Sequence, residues 1–536
     1  MIPIRAMHPL MLVVVAVATL FAIYNQTFWS LWAEVFEGNY PSGVMFAAAF
    51  FSLCCALLGG LAFRSVLRPL IAGLFVVSAV TSYYMDELGV VIDREMIQNV
   101  VSTTWTEGKH LVTAPFVFWI AIAGIVPALV VLAVPLSRRR LWRTLWQNAL
   151  FSTLCVIGFV GLLLSDMKDY ASILRNRGDL KASFQPLAPV VESVRFVAML
   201  SRSRTLPFVA IGLDAVRKKV GNVSDLPTVT VVVVGETARA QNFSLGGYGR
   251  DTNPRLAAED ILYFENVSSC GTSTAVSLPC MFSRYGRRDY SHELGVSHEN
   301  VLDVIQRSGM RVEWIENNTG DKGVAARVGY RQVTYAEDPE FCGEGECIDG
   351  ILVKEVAKLL PKIDQDTVLV LHQIGSHGPS YYLRYPEAFE RFKPACRTAN
   401  FSACTQEEVV NAYDNTILYT DKVLQDLIAL LSAQDDLATA MLYVSDHGES
   451  LGENGLYLHG TPYFMAPDEQ TKVPMLFWQS QAFAESVGID DGCLKSKASA
   501  AYSHDHLFHS LLGLTAVETA ERNPELDIFA DCGRNG

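Results

Sequence analysis

The sequence predicts two unlike parts: an N-terminal α-helical transmembrane bundle of five spans, and a C-terminal α/β domain built on a mostly parallel sheet. Three observations carry this. Half of the 536 residues are hydrophobic and the mean hydropathy is +0.21, with the apolar excess in the first third. Apolar runs at about 9–27, 43–63, 67–85, 114–136 and 148–165 each approach the ~20 residues that cross a bilayer as a helix. From residue 226 onward, short β-rich runs alternate with helical patterns, as a parallel sheet with crossover helices requires.

The first run could be a cleavable signal peptide, but no small-residue cleavage site follows it and four more runs do. With the N-terminus in the cytoplasm, Arg5, Arg64, Arg68, Arg138, Arg139, Arg140 and Arg143 fall on the cytoplasmic side. Glu34, Glu37, Asp86, Glu87, Asp93 and Glu95 fall on the other, which satisfies the positive-inside rule. Five crossings place everything after residue 166 outside the cytoplasm. The expected organisation is therefore a transmembrane domain over 1–166, interfacial helices and a linker over 167–225, and an exported domain over 226–536. The linker assignment rests on basic amphipathic stretches from Lys168 to Lys181 and Val191 to Lys219, interspersed with Pro186, Pro189 and Pro207. Residues 1–200 carry a net charge of +3, which leaves −17 for the remainder. An acidic distal domain argues against nucleic acid as a partner.

Between the third and fourth spans, DELGVVIDREMIQNVVSTTWTEGKH is too long for a simple connection. Asn99, Thr103 and Glu107 recur every four residues, so a helix there would align them on one face. That face is either a solvated one or a polar ladder at the membrane surface that holds a lipid headgroup.

In the distal domain, strands are expected at 228–235, 311–316, 367–372, 440–445 and 473–478. Helices are expected at 300–308, 350–360, 406–432 and 504–513. Of eleven cysteines, Cys54, Cys55 and Cys155 lie in spans and read as small apolar packers. The other eight include three close couples, Cys270 with Cys280, Cys342 with Cys347 and Cys396 with Cys404, and Cys493 with Cys532 could form a fourth. An even count in an exported domain reads as disulfides, each closed loop adding on the order of 2–3 kcal/mol. A zinc–thiolate cluster is the rival, but no CxxC spacing occurs.

Chemistry concentrates where predicted strands end. The β-branched run Val229 to Val234 stops at Gly235-Glu236-Thr237, delivering a carboxylate to the edge where open α/β sheets bind ligands. A second strand ends at Ser445 and is followed directly by Asp446-His447, ligand types that suit a zinc-like ion. His459 closes the glycine-rich loop after it. A third end, LHQIGSHGP, offers His372 and His377. The hydroxyl-rich CGTSTAVSLPC, residues 270–280, then turns apolar as a helix start does, so Thr274 or a near neighbour sits where free N–H groups can hold a phosphate. Three strand ends offering Glu, Asp or His beside glycine point to a metal site.

GETAR (235–239), NFSLGGYGRDTNP ending at Pro254, CGTSTAVSLPCMFS (270–283), NNTGDKGV (317–324), GSHGP with YYLRYP (375–386) and SDHGESLGENGLYLHG (445–460) resemble bacterial lipid A phosphoethanolamine transferases. That family includes the mobile colistin-resistance enzymes, and its catalytic domain has the alkaline phosphatase-like fold shared with sulfatases. The resemblance extends through GVVIDREMIQNV and the five-span anchor. It implies that Glu236, Thr274, Asp446 and His447 bind one zinc tightly and that Thr274 is the nucleophile. It implies that Lys322, His377 and His459 hold the phosphoryl group, the leaving group or, for the two histidines, a second zinc. Asn99, Thr103, Glu107, Thr319 and Lys322 match contacts to the donor headgroup. Relatives often place cysteines beside this lysine, whereas Asp321 and Ala325 stand here, so no disulfide braces Lys322.

The implied activity moves phosphoethanolamine from phosphatidylethanolamine to a lipid A phosphate through a phosphoethanolamine–threonine ester. The catalytic domain would lie in the periplasm, the anchor in the bacterial inner membrane, and the chain would act as a monomer. The expected consequence is a less negative outer membrane and polymyxin resistance. A lipopolysaccharide core sugar as acceptor, or phosphoglycerol as the headgroup, would use the same fold. A sulfatase would need a Cys or Ser in a C/S-x-P-x-R context, and neither Cys270 nor Cys280 has it. A non-enzymatic membrane-anchored binding domain would leave the strand-end ligand set without a task.

Overall fold

The computed structural model describes residues 6–218, 226–333, 338–343 and 346–533. The chain divides into two units, residues 1–97 with 112–195 and residues 98–111 with 196–536. The expected boundary at 225/226 touches residues 219–225, which lie outside the described residues, as does Arg5.

In the first unit, α1 (Pro9–Ile23) and α2 (Gln26–Val35) meet at a 74° bend. They are followed by α3 (Tyr40–Gly60), α4 (Leu67–Leu88), α5 (Ala114–Ala133) and α6 (Leu141–Leu164). The last four are long and apolar enough to cross a membrane, and the bent pair makes a fifth if it counts as one span. The run expected at 9–27 loses its helix at Ile23 because the Asn25 side chain is buried at that point. Its Nδ2 donates to the Leu20 carbonyl at 2.9 Å and the Gln185 carbonyl at 3.2 Å, and its Oδ1 accepts from the Gln185 N–H at 2.8 Å. An amide that satisfies helix-end carbonyls and a distant backbone together stops the helix. The fifth run, expected from 148, begins at Leu141. Arg143, Gln147 and Asn148 interrupt the hydropathy there, yet Arg and Gln are good helix formers. Helices Met167–Asn176, Gly178–Ala182 and Leu187–Ser203 occupy much of the stretch expected to be interfacial helices and linker.

The single helix expected through Asn99, Thr103 and Glu107 is two: Arg94–Ser102 and Trp105–Gly108. Thr103 bonds back to the Asn99 carbonyl through both its N–H (2.9 Å) and its Oγ1 (2.8 Å), and Ser102 Oγ does the same to Gln98 O at 2.7 Å. Such side-chain bonds compete with the helix ladder, and β-branched Thr103 and Thr104 disfavour its continuation. Asn99 and Thr103 therefore stay adjacent, while Glu107 belongs to the next short helix. The side chain of Glu107 lies outside the described residues.

The second unit is organised by a seven-stranded sheet: β1 (Thr228–Gly235), β2 (Leu262–Phe264), β3 (Arg311–Glu316), β4 (Gly329–Gln332), β5 (Thr367–His372), β6 (Ala438–Ser445) and β7 (Met475–Gln479). Their spatial order is β2-β7-β6-β1-β5-β3-β4. The run from β6 through β1, β5 and β3 to β4 is parallel, whereas β7 pairs antiparallel with β6 and with β2. Central β1 is buried along its whole length, which is why it reads as an unbroken valine run rather than an alternating one. Short edge strands β2 and β4 have no such run and left no signal in the sequence. The capping-box helix α7 (Gln406–Ser432) packs on the sheet, and its Tyr413 hydroxyl donates to Thr237 O at 2.8 Å and accepts from Arg239 N at 2.9 Å. All four cysteine pairs are bonded, and Cys54, Cys55 and Cys155 are free.

Candidate active site

Parallel register brings the strand ends together. Gly235 at the end of β1 pairs with Ser445 at the end of β6, so Glu236 and Asp446 emerge side by side. Val234 pairs with His372, and His372 with Glu316, which adds the ends of β5 and β3 to the same edge. Adjacent strands lie about 4.8 Å apart, so four strand ends crowd polar groups into a small volume. The crowding demands glycine at 375, with φ +50°, where a Cβ would stand 2.6 Å from the Glu236 carbonyl oxygen. That closeness lets Ser376 N–H donate to the same oxygen at 3.0 Å.

Thr274 opens the eight-residue helix Thr274–Met281. Its Oγ1 donates toward Glu236, 2.9 Å from Oε1 and 3.1 Å from Oε2, and lies 3.3 Å from His447 Nε2. That nitrogen is 3.4 Å from both Glu236 Oε1 and Asp446 Oδ2. Glu236, Asp446 and His447 are fully buried and each offers one ligand atom, all within 4.8 Å of one another. Asp446 Oδ1 accepts from the N–H groups of Thr237 (3.1 Å) and His447 (2.8 Å), whereas Oδ2 has no hydrogen-bond partner among the described residues. A buried carboxylate oxygen without a hydrogen-bond donor is well placed to take a cation. Burial raises the Asp446 pKa, and Glu236 beside it raises it further. Burial alone would lower the His447 pKa, but Asp446 and Glu236 lift it to about 10. The negative field that favours a proton on His447 equally favours a divalent cation among these donors. Two carboxylates, an imidazole and a hydroxyl suit such an ion.

A layer behind Glu236 fixes its orientation. Asn318 Nδ2 donates to Glu236 Oε2 at 2.8 Å and to Gln373 O at 2.8 Å. His372 lies with Nε2 3.7 Å from Glu236 Oε2 and Nδ1 3.1 Å from Glu316 Oε2. Glu316 in turn accepts from Trp314 Nε1 (3.0 Å) and Tyr330 OH (2.6 Å). Burial disfavours a charged His372, yet the flanking Glu236 and Glu316 raise its pKa to about 9. His372, which its place at a strand end marks as a candidate ligand, thus sits behind the Glu236–Asp446–His447 cluster and not in it. Glu316, the last residue of β3, and Asn318, two residues beyond it, were assigned no role from the sequence.

The His459 ring lies tilted against His447, centroids 4.5 Å apart, and its Nδ1 lies 3.1 Å from Glu449 Oε1. The His377 ring is 5.6 Å from that of His459. Lys322, at φ +49°, donates from Nζ to Thr319 O at 3.2 Å and to Thr319 Oγ1 at 3.4 Å, on the same loop as Asn318. Asp321 Oδ2 accepts from Ala325 N at 2.6 Å and Asp321 O from Val324 N at 2.9 Å, closing the loop by hydrogen bonds. The segment 98–111 joins this unit: Gln98 Nε2 donates to Ala275 O at 3.0 Å, one residue from Thr274, and His110 Nε2 lies 3.7 Å from Glu346 Oε1.

His504 locks the helix start to the end of β6. Its Nδ1 accepts from Cys270 N–H at 3.1 Å and its Nε2 donates to Ser445 O at 3.0 Å. A proton on Nδ1 would face that N–H, and burial lowers the pKa from 6.5 to about 3. Only the unfolded chain binds this proton between those values, so the stability His504 confers is complete above pH 6.5 and is lost as pH falls toward 3. At pH 5 the loss is about 2 kcal/mol. His504→Gln keeps one acceptor and one donor, and should flatten the fall in melting temperature of the full-length protein between pH 7.5 and 5. An unchanged slope would remove His504 as the cause.

A model described as "Sulfatase" matches residues 228–517, and one described as "Phosphoethanolamine transferase EptA/EptB" matches residues 50–199. The chain is 43% identical to phosphoethanolamine transferase EptA of Escherichia coli K12 over 473 residues, covering 87% of this chain and 86% of that one. It is 34% identical to phosphatidylethanolamine transferase Mcr-1 of Escherichia coli over 546 residues, covering 98% of each. Among solved structures it matches the integral membrane protein lipooligosaccharide phosphoethanolamine transferase A of Neisseria meningitidis with a TM-score of 0.95 and 38% identity, over 99% of this chain and all of that one. The apolar helices and this full-length likeness make it an inner-membrane protein with a periplasmic catalytic domain. Matched in its anchor by one model and in its catalytic domain by the other, the chain belongs to the phosphoethanolamine transferase family.

Proposed function

We propose that the chain transfers phosphoethanolamine from phosphatidylethanolamine to a phosphate of lipid A, through an ester on Thr274, with zinc as cofactor. The observation that carries this reading is the Thr274 hydroxyl, hydrogen-bonded to Glu236 and 3.3 Å from His447 at the start of a helix. Zinc held by Glu236, Thr274, Asp446 and His447 would supply Lewis acidity, lowering the hydroxyl pKa and offsetting the charge of the phosphodiester. The Thr274 proton is directed at Glu236, which leaves an oxygen lone pair to face phosphorus. First-turn N–H groups of the helix and the Lys322 ammonium suit the nonbridging oxygens.

Attack forms the Thr274 Oγ1–P bond and breaks the bond from phosphorus to the glycerol oxygen, which leaves with a proton as diacylglycerol. His459, steadied at Nδ1 by Glu449, can present its other nitrogen to a departing or entering oxygen, and His377 lies beside it. An oxygen of a lipid A phosphate then bonds to phosphorus and the Thr274 Oγ1–P bond breaks, the proton of the entering phosphate returning to the threonine hydroxyl. Separating the two half-reactions suits a site that exchanges two bulky lipids in turn. His377 and His459 are also the residues we assign to a second zinc. Addition of a cationic headgroup to lipid A would lower the negative charge of the outer membrane and confer polymyxin resistance. Mass spectrometry of lipid A from cells with and without the chain tests the reading. The expected result is one phosphoethanolamine added to lipid A, and the modification found only on core sugars would overturn the acceptor.

Asn99, Thr103, Glu107 and Thr319 are assigned to the donor headgroup. Support comes from Gln98, whose bond to Ala275 ties the start of this segment to the residue after Thr274. An anionic Glu107 against the ethanolamine ammonium would contribute about 1–3 kcal/mol. Glu107→Ala should then lower turnover of phosphatidylethanolamine by roughly 10- to 100-fold, without lowering zinc content. Hydrolysis of a short chromogenic phosphoester that lacks ethanolamine should be unaffected. Equal losses on both substrates would make the residue structural.

A further inference from the structure

We propose that the cytoplasmic end of the membrane bundle holds a site for a phosphate-bearing anion, the headgroup of an anionic phospholipid from the cytoplasmic leaflet. A cavity of about 530 Å³ opens there among the start of α1, the α3–α4 connection and the α5–α6 connection. The end is cytoplasmic because α6 leaves the bilayer on the periplasmic side at Leu164. Arg64, Arg68, Arg138 and Arg139 line the cavity, and no Asp or Glu is among its described lining residues. The positive-inside rule accounts for arginines near this face. It does not account for their convergence on one cavity, nor for what the walls leave unsatisfied.

Three buried polar atoms without a hydrogen-bond partner among the described residues belong to residues of this lining: Asn148 Nδ2, Ser137 Oγ and Arg68 Nε. Asn148 is 4% exposed. A buried donor left unpaired is costly, and three such donors on residues of one cavity lining are what a bound acceptor would satisfy. The arginines are pre-set for it. Arg68 is held through NH1 by the carbonyls of Leu132 (3.0 Å) and Val134 (3.4 Å), and Arg139 through NH1 by Gln147 Oε1 (2.8 Å). Guanidinium groups match phosphate oxygens with paired N–H donors better than ammonium groups do.

Size and surroundings favour a lipid over a free ion. The volume exceeds what a bare phosphate fills and falls in the range of pockets that enclose small organic groups. Phe63 and Leu141 contribute apolar wall, and Trp142 and Trp146, one helical turn apart on α6, stand 70% and 60% exposed. Exposed tryptophans mark the level of lipid headgroups, and basic pockets between membrane helices on the cytoplasmic side select anionic ones. A lipid of that leaflet faces away from the periplasm, so it is a ligand and not the donor substrate.

The test is native mass spectrometry of the full-length protein, titrated in separate arms with phosphatidylglycerol, phosphatidylethanolamine and inorganic phosphate. Wild type should retain one phosphatidylglycerol about 10-fold more tightly than phosphatidylethanolamine. Replacing the three exposed arginines (Arg64→Gln, Arg138→Gln, Arg139→Gln) should weaken phosphatidylglycerol by about 10- to 100-fold, at roughly one decade or less per charge. Should that variant not fold, Asn148→Leu, which removes the unpaired amide without touching a charge, is expected to weaken phosphatidylglycerol while leaving phosphatidylethanolamine unchanged. Equal retention by wild type and variant, or no preference for the anionic lipid, would overturn the site. Displacement of the lipid by millimolar inorganic phosphate would overturn the lipid and leave a soluble anion as the ligand.

Discussion

Given phosphatidylethanolamine and no acceptor, the wild-type chain is expected to gain the mass of one phosphoethanolamine, and Thr274→Ala to gain none. The expectation follows from the position of the hydroxyl, within 3.3 Å of Glu236 Oε1, Glu236 Oε2 and His447 Nε2 at once. The methyl of alanine can take its place without disturbing the helix start, because the helix is closed by Ser273, whose carbonyl accepts from Val276 and Ser277. Folding should therefore survive, and Glu236, Asp446 and His447 remain to hold metal, while turnover falls by about 10⁴-fold or more, the scale seen when a covalent nucleophile is removed. Thr274→Ser should keep the adduct, since it retains the oxygen, with a slower rate from its freer rotamer. Peptide mapping of the wild-type adduct identifies the residue. An adduct that persists on Thr274→Ala, at a neighbouring hydroxyl such as Thr272 or Ser273, would sink the assignment.

How far the sequence revealed this site depends on which physical signal each residue carries. Glu236 and Asp446-His447 were legible because they follow buried parallel strands, whose unbroken apolar runs mark their own ends. Strands 228–235, 311–316 and 367–372 form at the residues expected for the same reason. The roles of Glu316 and Asn318 were not legible, since nothing in a strand end says that its carboxylate will turn back on a neighbour's histidine. That is a property of register, fixed by the pairing of Glu316 with His372 and of His372 with Val234. The break after Ser102 was hidden by an i, i+4 spacing that looks helical until the Thr103 and Ser102 hydroxyls claim the backbone. Asn25 misled in the same way: a single polar residue inside an apolar run is read as tolerated, whereas here its three bonds end the helix.

Removal of the proposed metal should separate two roles that activity alone confounds. Chelation of the wild type is expected to abolish transfer and also to lower the melting temperature, because a ligand that binds only the folded state at 1,000 times its Kd adds about 4 kcal/mol. What remains is Glu236 and Asp446 buried side by side, with Asp446 Oδ2 lacking a hydrogen-bond donor. Asp446→Asn removes one of those charges and supplies an N–H₂ in place of the orphaned oxygen. The variant should lose transfer by on the order of 10³-fold or more, since a metal centre supplies several kcal/mol of charge stabilisation. Its stability should move the other way: without metal it should melt at or above the chelated wild type, and it should not respond to chelator or to added zinc. Calorimetry of the four states, with metal content measured on each, decides the matter. A variant that melts below the chelated wild type would mean that Asp446 is held by the protein's own hydrogen bonds and needs no cation. If it does melt higher, the site is built at a cost in stability that only a bound ion offsets.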